Sequence, residues 1–169
     1  MKITKMEAWV DEMPLKQAYS IAYETIDKSS NVFLRVETNT GLMGYGCAAP
    51  DLQVTGETPM SVLHAVDSVI SPALANSDPM RSAMLMERLK ACLQNQPSAL
   101  AAVDMALYDL LGKVANLPLW KLLGGFRDRM KTSVTIGILP VEETLHEAAS
   151  WLAKGFKRLK IKGGAQVET

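Results

Sequence analysis

The run from Val134 to Lys162 leaves fewer choices of fold than any other part of this chain. Val134 to Leu139 has the apolar, β-branched character of a strand, Val141 to Lys154 has helical spacing, and Phe156 to Lys162 returns to a strand. Strand, helix and strand within roughly thirty residues form a right-handed crossover, which sets the two strands parallel in one sheet. Parallel sheets are covered on both faces, and two strands cannot achieve that alone. The segment from residue 126 onward is therefore expected to open a larger α/β domain that these 169 residues do not complete.

What precedes it follows two other periods. Met1 to Val10 alternates as a strand, and Asn31 to Glu37 is a second, with Val32, Leu34 and Val36 on one face. Asn39-Thr40-Gly41 is a turn, and Leu42 to Ala49, containing Gly44 and Gly46, is the returning arm of a hairpin. The three strands predict an antiparallel sheet. Asp11 to Ser30 shows no regular pattern and is expected to be a long loop of the kind that often serves as a lid. From Thr58 the period becomes helical. Thr58-Pro59 and Asp78-Pro79 are start signals for helices reaching about Ile70 and Cys92. Gln96-Pro97-Ser98 opens a third helix, with an apolar stripe through Leu100, Val103, Leu107, Leu110, Leu111 and Val114. Asn116-Leu117-Pro118 closes it, and Gly124-Gly125 ends a short helix after that. Asp104 and Asp109, set among alanines in the third helix, are expected to have surface or structural roles.

Composition excludes several classes of function. Lys plus Arg equals Asp plus Glu at 18 each, so no bulk field or basic track favours nucleic acid. No apolar run is long enough to span a bilayer, and the first residues do not read as a signal peptide. Cys47 and Cys92 have no metal or redox spacing and are expected to be buried, reduced thiols of a cytoplasmic protein.

The candidate chemistry sits in Arg158-Leu159-Lys160-Ile161-Lys162-Gly163-Gly164. On a strand, Lys160 and Lys162 share one face and Leu159 and Ile161 the other. Two ammonium groups on one face suit either an edge strand guarded by lysines or a face that works chemically.

The order of sheet, helices and opening barrel, together with particular residues, resembles the enolase superfamily in its muconate-lactonising subgroup. The matching residues run from Ala101-Ala102-Val103-Asp104-Met105-Ala106-Leu107-Tyr108-Asp109 through Leu110-Leu111-Gly112-Lys113. They continue in Leu117-Pro118-Leu119-Trp120, Leu122-Leu123-Gly124-Gly125 and Lys160-Ile161-Lys162. Gly44-Tyr45-Gly46 and Val54-Thr55-Gly56-Glu57-Thr58 look most like the dipeptide epimerases of that subgroup. The resemblance implies an α+β capping domain (three-stranded antiparallel sheet plus helical bundle) over residues 1–125. Residues 126–169 would then be the first strands of a TIM (β/α) barrel.

It also implies a reaction. A proton beside a carboxylate is removed and returned to the other face, through an enediolate stabilised by Mg2+. By resemblance Lys162 is the base on one face, Lys160 touches the substrate carboxylate, and Thr135 contacts the substrate. The three acidic metal ligands and the opposing lysine are expected beyond Thr169, so this chain alone is expected to hold no metal and to be inactive. The implied partner is a small dipeptide, with neither nucleic acid nor membrane, in a homo-oligomer. Substrate choice in the family comes partly from two capping loops, here Tyr19 to Glu24 and Ala49 to Gly56. Members acting on a dipeptide ending in glutamate carry arginine where this chain has Glu24. That exchange of sign points to a dipeptide with Lys or Arg at the epimerised position, the alternative being that Glu24 is a solvated loop residue and the pocket takes apolar side chains. Cys47 stands where relatives often carry glutamate. The readings that compete with an epimerase are another reaction of the subgroup, cycloisomerisation or succinylbenzoate synthesis, and a non-catalytic capping or dimerisation module.

Overall fold

The computed structural model describes residues 1–20 and 25–163. The chain divides into two compact units, one of Met1–Glu12 with Ser30–Gly125, the other of Met13–Ser29 with the segment from Phe126 onward.

A three-stranded sheet, ordered β1-β2-β3, is built from β1 (Ile3–Ser20), β2 (Thr25–Thr38) and β3 (Met43–Ala48), with the Met13–Ser29 portions of β1 and β2 belonging to the second unit and the rest to the first. β2 and β3 are antiparallel, with Leu34 opposite Gly46 and Val36 opposite Gly44. Val32, Leu34 and Val36 are buried on one face as their alternation predicts. The other face carries Trp9 stacked on Phe33, and Arg35 bridging Glu7 at 2.8 Å and Glu37 at 2.9 Å. Lys5, through a hydrogen bond and its charge, and then Arg35, hold the exposed Glu7 carboxyl below its ordinary range.

The expected loop from Asp11 to Ser30 is corrected by the structure: both strands extend into it, β1 to Ser20 and β2 back to Thr25. Residues in this arm are mostly exposed or half-buried on both faces, so no single-sided apolar alternation marks it as strand. Pro14 is tolerated because β1 lies at the sheet edge, where a missing N–H leaves no ladder bond unmade.

Helices cover the buried face. α1 (Pro59–Ala65) starts with a reciprocal capping box, Thr58 Oγ1 accepting from Ser61 N–H while Ser61 Oγ accepts from Thr58 N–H. It passes through a π-helical turn, Val66–Ile70, into α2 (Ser71–Leu74). Pro72 in that last turn has no N–H to give, which is consistent with the widened turn before it. Asp78 caps a 3-10 turn, Pro79–Arg81, that leads into α3 (Ser82–Cys92). α4 (Pro97–Ala115) is the central helix and ends on Asn116 in the left-handed conformation. The short α5 (Leu119–Leu122) follows.

The face of α4 that packs keeps Val103, Leu107 and Leu110 of the expected stripe and adds three alanines. Ala99, Ala102, Val103, Ala106, Leu107 and Leu110 are buried, while Leu100 and Leu111 are half-buried and Val114 is exposed. The alanines are inside because α4 lies directly on β3. A Cβ added to Gly44 would lie 2.7 Å from Leu110 Cγ and overlap the Ala106 carbonyl oxygen. One added to Gly46 would overlap the Ala102 carbonyl oxygen. Small residues facing small residues let helix and strand backbones approach, and a stripe of large side chains could not occupy that face.

Gln96, the residue before α4, makes no side-chain cap. The carboxylate of Glu57, fully buried, supplies it instead, accepting from Ser98 N–H at 2.8 and 3.1 Å and from Ala99 N–H at 3.1 Å. Asp109 accepts from Tyr45 N–H at 2.9 Å and pairs with Lys113 at 2.6 Å, the structural role expected of it.

In the second unit, β4 (Val134–Ile136), α6 (Val141–Ala153) and β5 (Leu159–Ile161) form the parallel crossover. Both strands are shorter than expected. Trp151 packs edge-on against Phe156 at 5.3 Å, which fixes the turn from α6 back to β5. No helix among the described residues is long and apolar enough to cross a membrane.

Candidate functional site

The parallel register brings the predicted residues of the two barrel-type strands together. Val134 pairs with Leu159, Thr135 with Lys160 and Ile136 with Ile161. Lys162 N–H then donates to the Ile136 carbonyl at 3.0 Å, carrying the ladder one residue past β5. Paired residues of a ladder project to the same side, so Thr135 and Lys160 share a face, and alternation returns Lys162 to it. β4 alternates exposed Thr135 with fully buried Ile136. α6 packs on β4, and Thr135 and Lys160 are both exposed. Ile161, paired with Ile136 but farther from α6, remains 58% exposed.

Lys162 lies just past the C-terminal end of β5, where barrel folds carry their chemistry, while Thr135 and Lys160 sit mid-strand one step before it. A cluster of two amines and a hydroxyl can take up a proton and bind an anionic group, the amines as base or cation and the hydroxyl as hydrogen-bond partner. Glu24 lies outside the described residues.

The hairpin also reaches this end of β4. Ile138 N–H donates to the Ser20 carbonyl at 3.0 Å, and Ser20 Oγ is 3.0 Å from Thr25 Oγ1 across the hairpin. Where hairpin and strand meet, a cavity of about 170 Å³ is walled by Tyr19, Ser20, Thr135, Gly137 and Trp151, among others. A larger cavity of about 590 Å³ lies before the N-terminal ends of the strands, among Lys131, Lys154, Lys157 and Arg158. It is remote from the predicted residues. Sequence reasoning missed the Ser20–Ile138 contact because it joins backbone atoms across more than a hundred residues, and backbone contacts leave no side-chain signature.

Among the described residues, no group of three or more His, Cys, Asp or Glu side chains is arranged to hold a metal ion. The described residues do not themselves fit a magnesium site.

Comparison with known proteins gives the arrangement a lineage. Residues 4–124 match the family model described as mandelate racemase / muconate lactonizing enzyme, N-terminal domain. An L-Lys-D/L-Arg epimerase of Desulforapulum autotrophicum is 45% identical over 99% of this chain and 48% of its own length. The structure of a dipeptide epimerase from Methylococcus capsulatus, complexed with Mg and the dipeptide L-Arg-D-Lys, superposes with a TM-score of 0.89 at 41% identity. That match covers 95% of this chain and 46% of the other. The L-Ala-D/L-Glu epimerase of Bacillus subtilis superposes with a TM-score of 0.94 at 34% identity, over 99% of this chain and 46% of that one. The chain spans about half the length of the relatives it matches. An antiparallel sheet under an alanine-faced helix, followed by parallel strands, is thus matched in both sequence and fold, and the chain belongs to the mandelate racemase / muconate lactonizing enzyme family of the enolase superfamily.

Proposed function

We propose that residues 1–125 serve as the capping domain, and residues 126–169 as the opening of the catalytic barrel, of a dipeptide epimerase acting on cationic dipeptides. The reaction is a 1,1-proton transfer at the α-carbon of one residue. The Lys162 amine takes the proton from one face, Lys160 holds the substrate carboxylate, and Thr135 hydrogen-bonds the substrate beside it. The base for the opposite face comes from outside this chain. Related dipeptide epimerases are complexed with Mg and dipeptide. Such an ion, held by residues other than the described ones, would supply electrostatic stabilisation to charge developing on the carboxylate.

The observation that carries this reading is the register of the two parallel strands, with Thr135 opposite Lys160 and Lys162 next on the same face. A lysine-guarded edge gives no reason for an exposed threonine partner one step before the C-terminal end of parallel strands.

For the substrate, two observations support a cationic side chain. Two L-Lys-D/L-Arg epimerases are 45% and 41% identical, against 34% and 36% for two L-Ala-D/L-Glu epimerases and 31% for an N-succinyl-L-Arg/Lys racemase. The sequence also carries an acidic residue, Glu24, where by resemblance relatives acting on a dipeptide ending in glutamate carry arginine; it is suited to pair with a cationic substrate and to repel an acidic one.

The test is epimerisation of a dipeptide library by the full-length protein and its Glu24→Arg variant. Dipeptides carrying Lys or Arg are expected to turn over fastest, and Glu24→Arg to move the preference toward acidic side chains. An unchanged preference would remove Glu24 from recognition, and no epimerisation of any dipeptide would remove the reading itself.

A further inference from the structure

The hairpin and the strand that carries Thr135 meet at a glycine whose backbone does not require one. Gly137 follows β4 and does not adopt a positive φ, so an ordinary residue could take its conformation. What a side chain would meet there is crowding. A Cβ at Gly137 would stand 3.2 Å from the Ser20 carbonyl oxygen, 3.2 Å from Tyr19 Cβ and 3.5 Å from Ser20 N. The next residue binds the same carbonyl, Ile138 N–H donating to Ser20 at 3.0 Å. The hairpin arms are tied together at this level by the Ser20–Thr25 hydroxyl contact of 3.0 Å. Tyr19 and Ser20 on one side, Thr135 and Gly137 on the other, wall one cavity.

We propose that Gly137 is a positioning residue, acting with the Ser20–Ile138 hydrogen bond as a latch that seats the end of the β1–β2 hairpin on the strand bearing Thr135 and so sets the width of the substrate side-chain pocket. The inference rests on the epimerase reading above and deepens it. Gly137 touches no substrate. It acts by letting Tyr19 and Ser20 approach the strand, and a side chain there would push them away from Thr135. A single Cβ requires the hairpin to give by a few tenths of an ångström, and the two γ-methyls of valine require more. Displacements approaching 1 Å in a binding site can cost up to about a hundredfold in rate at limiting substrate.

The test uses the full-length protein with Gly137→Ala and Gly137→Val. Two readouts are followed: steady-state epimerisation of a Lys- or Arg-containing dipeptide, and hydrogen exchange of the Ile138 amide. Gly137→Val is expected to raise KM roughly ten- to a hundredfold while kcat changes far less. Protection of the Ile138 amide is expected to fall at the same time, and the ranking of side chains in a dipeptide library to broaden. Gly137→Ala is expected to change each in the same direction by less, and it carries the test if the valine variant does not fold. Folded variants with unchanged KM and unchanged Ile138 protection would overturn the proposal. So would an equal loss of kcat/KM for every dipeptide that simply tracks a lowered melting temperature. Absence of turnover in the wild-type protein would instead overturn the epimerase reading, because the Ile138 amide reports on the latch without any substrate.

Discussion

Replacing Gly46 by alanine adds one methyl group at the point where β3 and α4 are closest. The new Cβ would overlap the Ala102 carbonyl oxygen and lie 2.7 Å from Ala102 C and 3.1 Å from Ala102 Cα. All three are backbone atoms of a helix that runs from Pro97 to Ala115, so no rotamer change relieves the overlap. Either α4 withdraws by on the order of 1 Å or β3 bends away, and a gap of that size forfeits a quarter to a half of each dispersion contact it opens. The contacts at risk are those of Ala99, Ala102, Val103, Ala106, Leu107 and Leu110, which are all fully buried. Overpacking ordinarily costs about 1–3 kcal/mol, and with backbone on the receiving side the loss should be about 3 kcal/mol or more. For a chain of this size that corresponds to a drop of roughly 10 °C in melting temperature. Thermal unfolding followed by circular dichroism measures it. Gly56→Ala is the control: Gly56 has a φ of +73° with nothing within 4 Å, so its alanine variant incurs backbone strain alone, about 1–2 kcal/mol. If Gly46→Ala lowered stability no more than Gly56→Ala, the argument that close backbone approach dictates glycine at β3 would be wrong.

Two further outcomes follow from other parts of the molecule. Glu57→Ala leaves the Ser98 and Ala99 N–H groups buried without partners, at about 1–3 kcal/mol each, so a loss of about 3 kcal/mol is expected in urea unfolding. Glu57→Gln, which keeps one acceptor, should lose less, and an alanine variant as stable as wild type would dismiss the distant cap. Burial pushes the Cys47 thiol pKa up, which lowers its thiolate fraction near neutral pH and shields it as well. The sequence leads one to expect both cysteines buried, but Cys47 is half-buried and Cys92, on the solvent side of α3, is exposed. Mass spectrometry after brief iodoacetamide treatment at pH 8 should therefore find Cys92 modified first, and the reverse order would contradict the partial burial of Cys47.

Much of this was legible because local chemistry and global fold agree in the helices and the crossover. Thr58 and Asp78, recognised as starts by the prolines after them, both accept backbone hydrogen bonds in the first turn. The strand–helix–strand pattern alone set Thr135 and Lys160 on neighbouring parallel strands, and the observed register aligns them. The failures came where tertiary contact overrides local pattern. The distal hairpin is exposed on both faces, so its strand conformation has no alternation to announce it. The inner face of α4 includes three alanines, which a search for large apolar side chains passes over, although Gly44 and Gly46 already hinted at a close partner. Glu57 was visible only as part of a loop motif. The missing signal was Gln96 before Pro97, a poor cap that leaves the first N–H groups of α4 in want of an acceptor from elsewhere.

The central claim is that Lys162 serves one face of the substrate α-carbon, and isotope exchange addresses it directly. Full-length wild-type and Lys162→Ala proteins would be incubated in D2O with each of the two epimers of a cationic dipeptide, and deuterium at the α-carbon followed by proton NMR. The account predicts that wild type exchanges the α-proton of both epimers, whereas Lys162→Ala loses exchange for one epimer, keeps it for the other through the opposing base, and no longer interconverts them. Retained exchange of both epimers by Lys162→Ala, with interconversion intact, would contradict it.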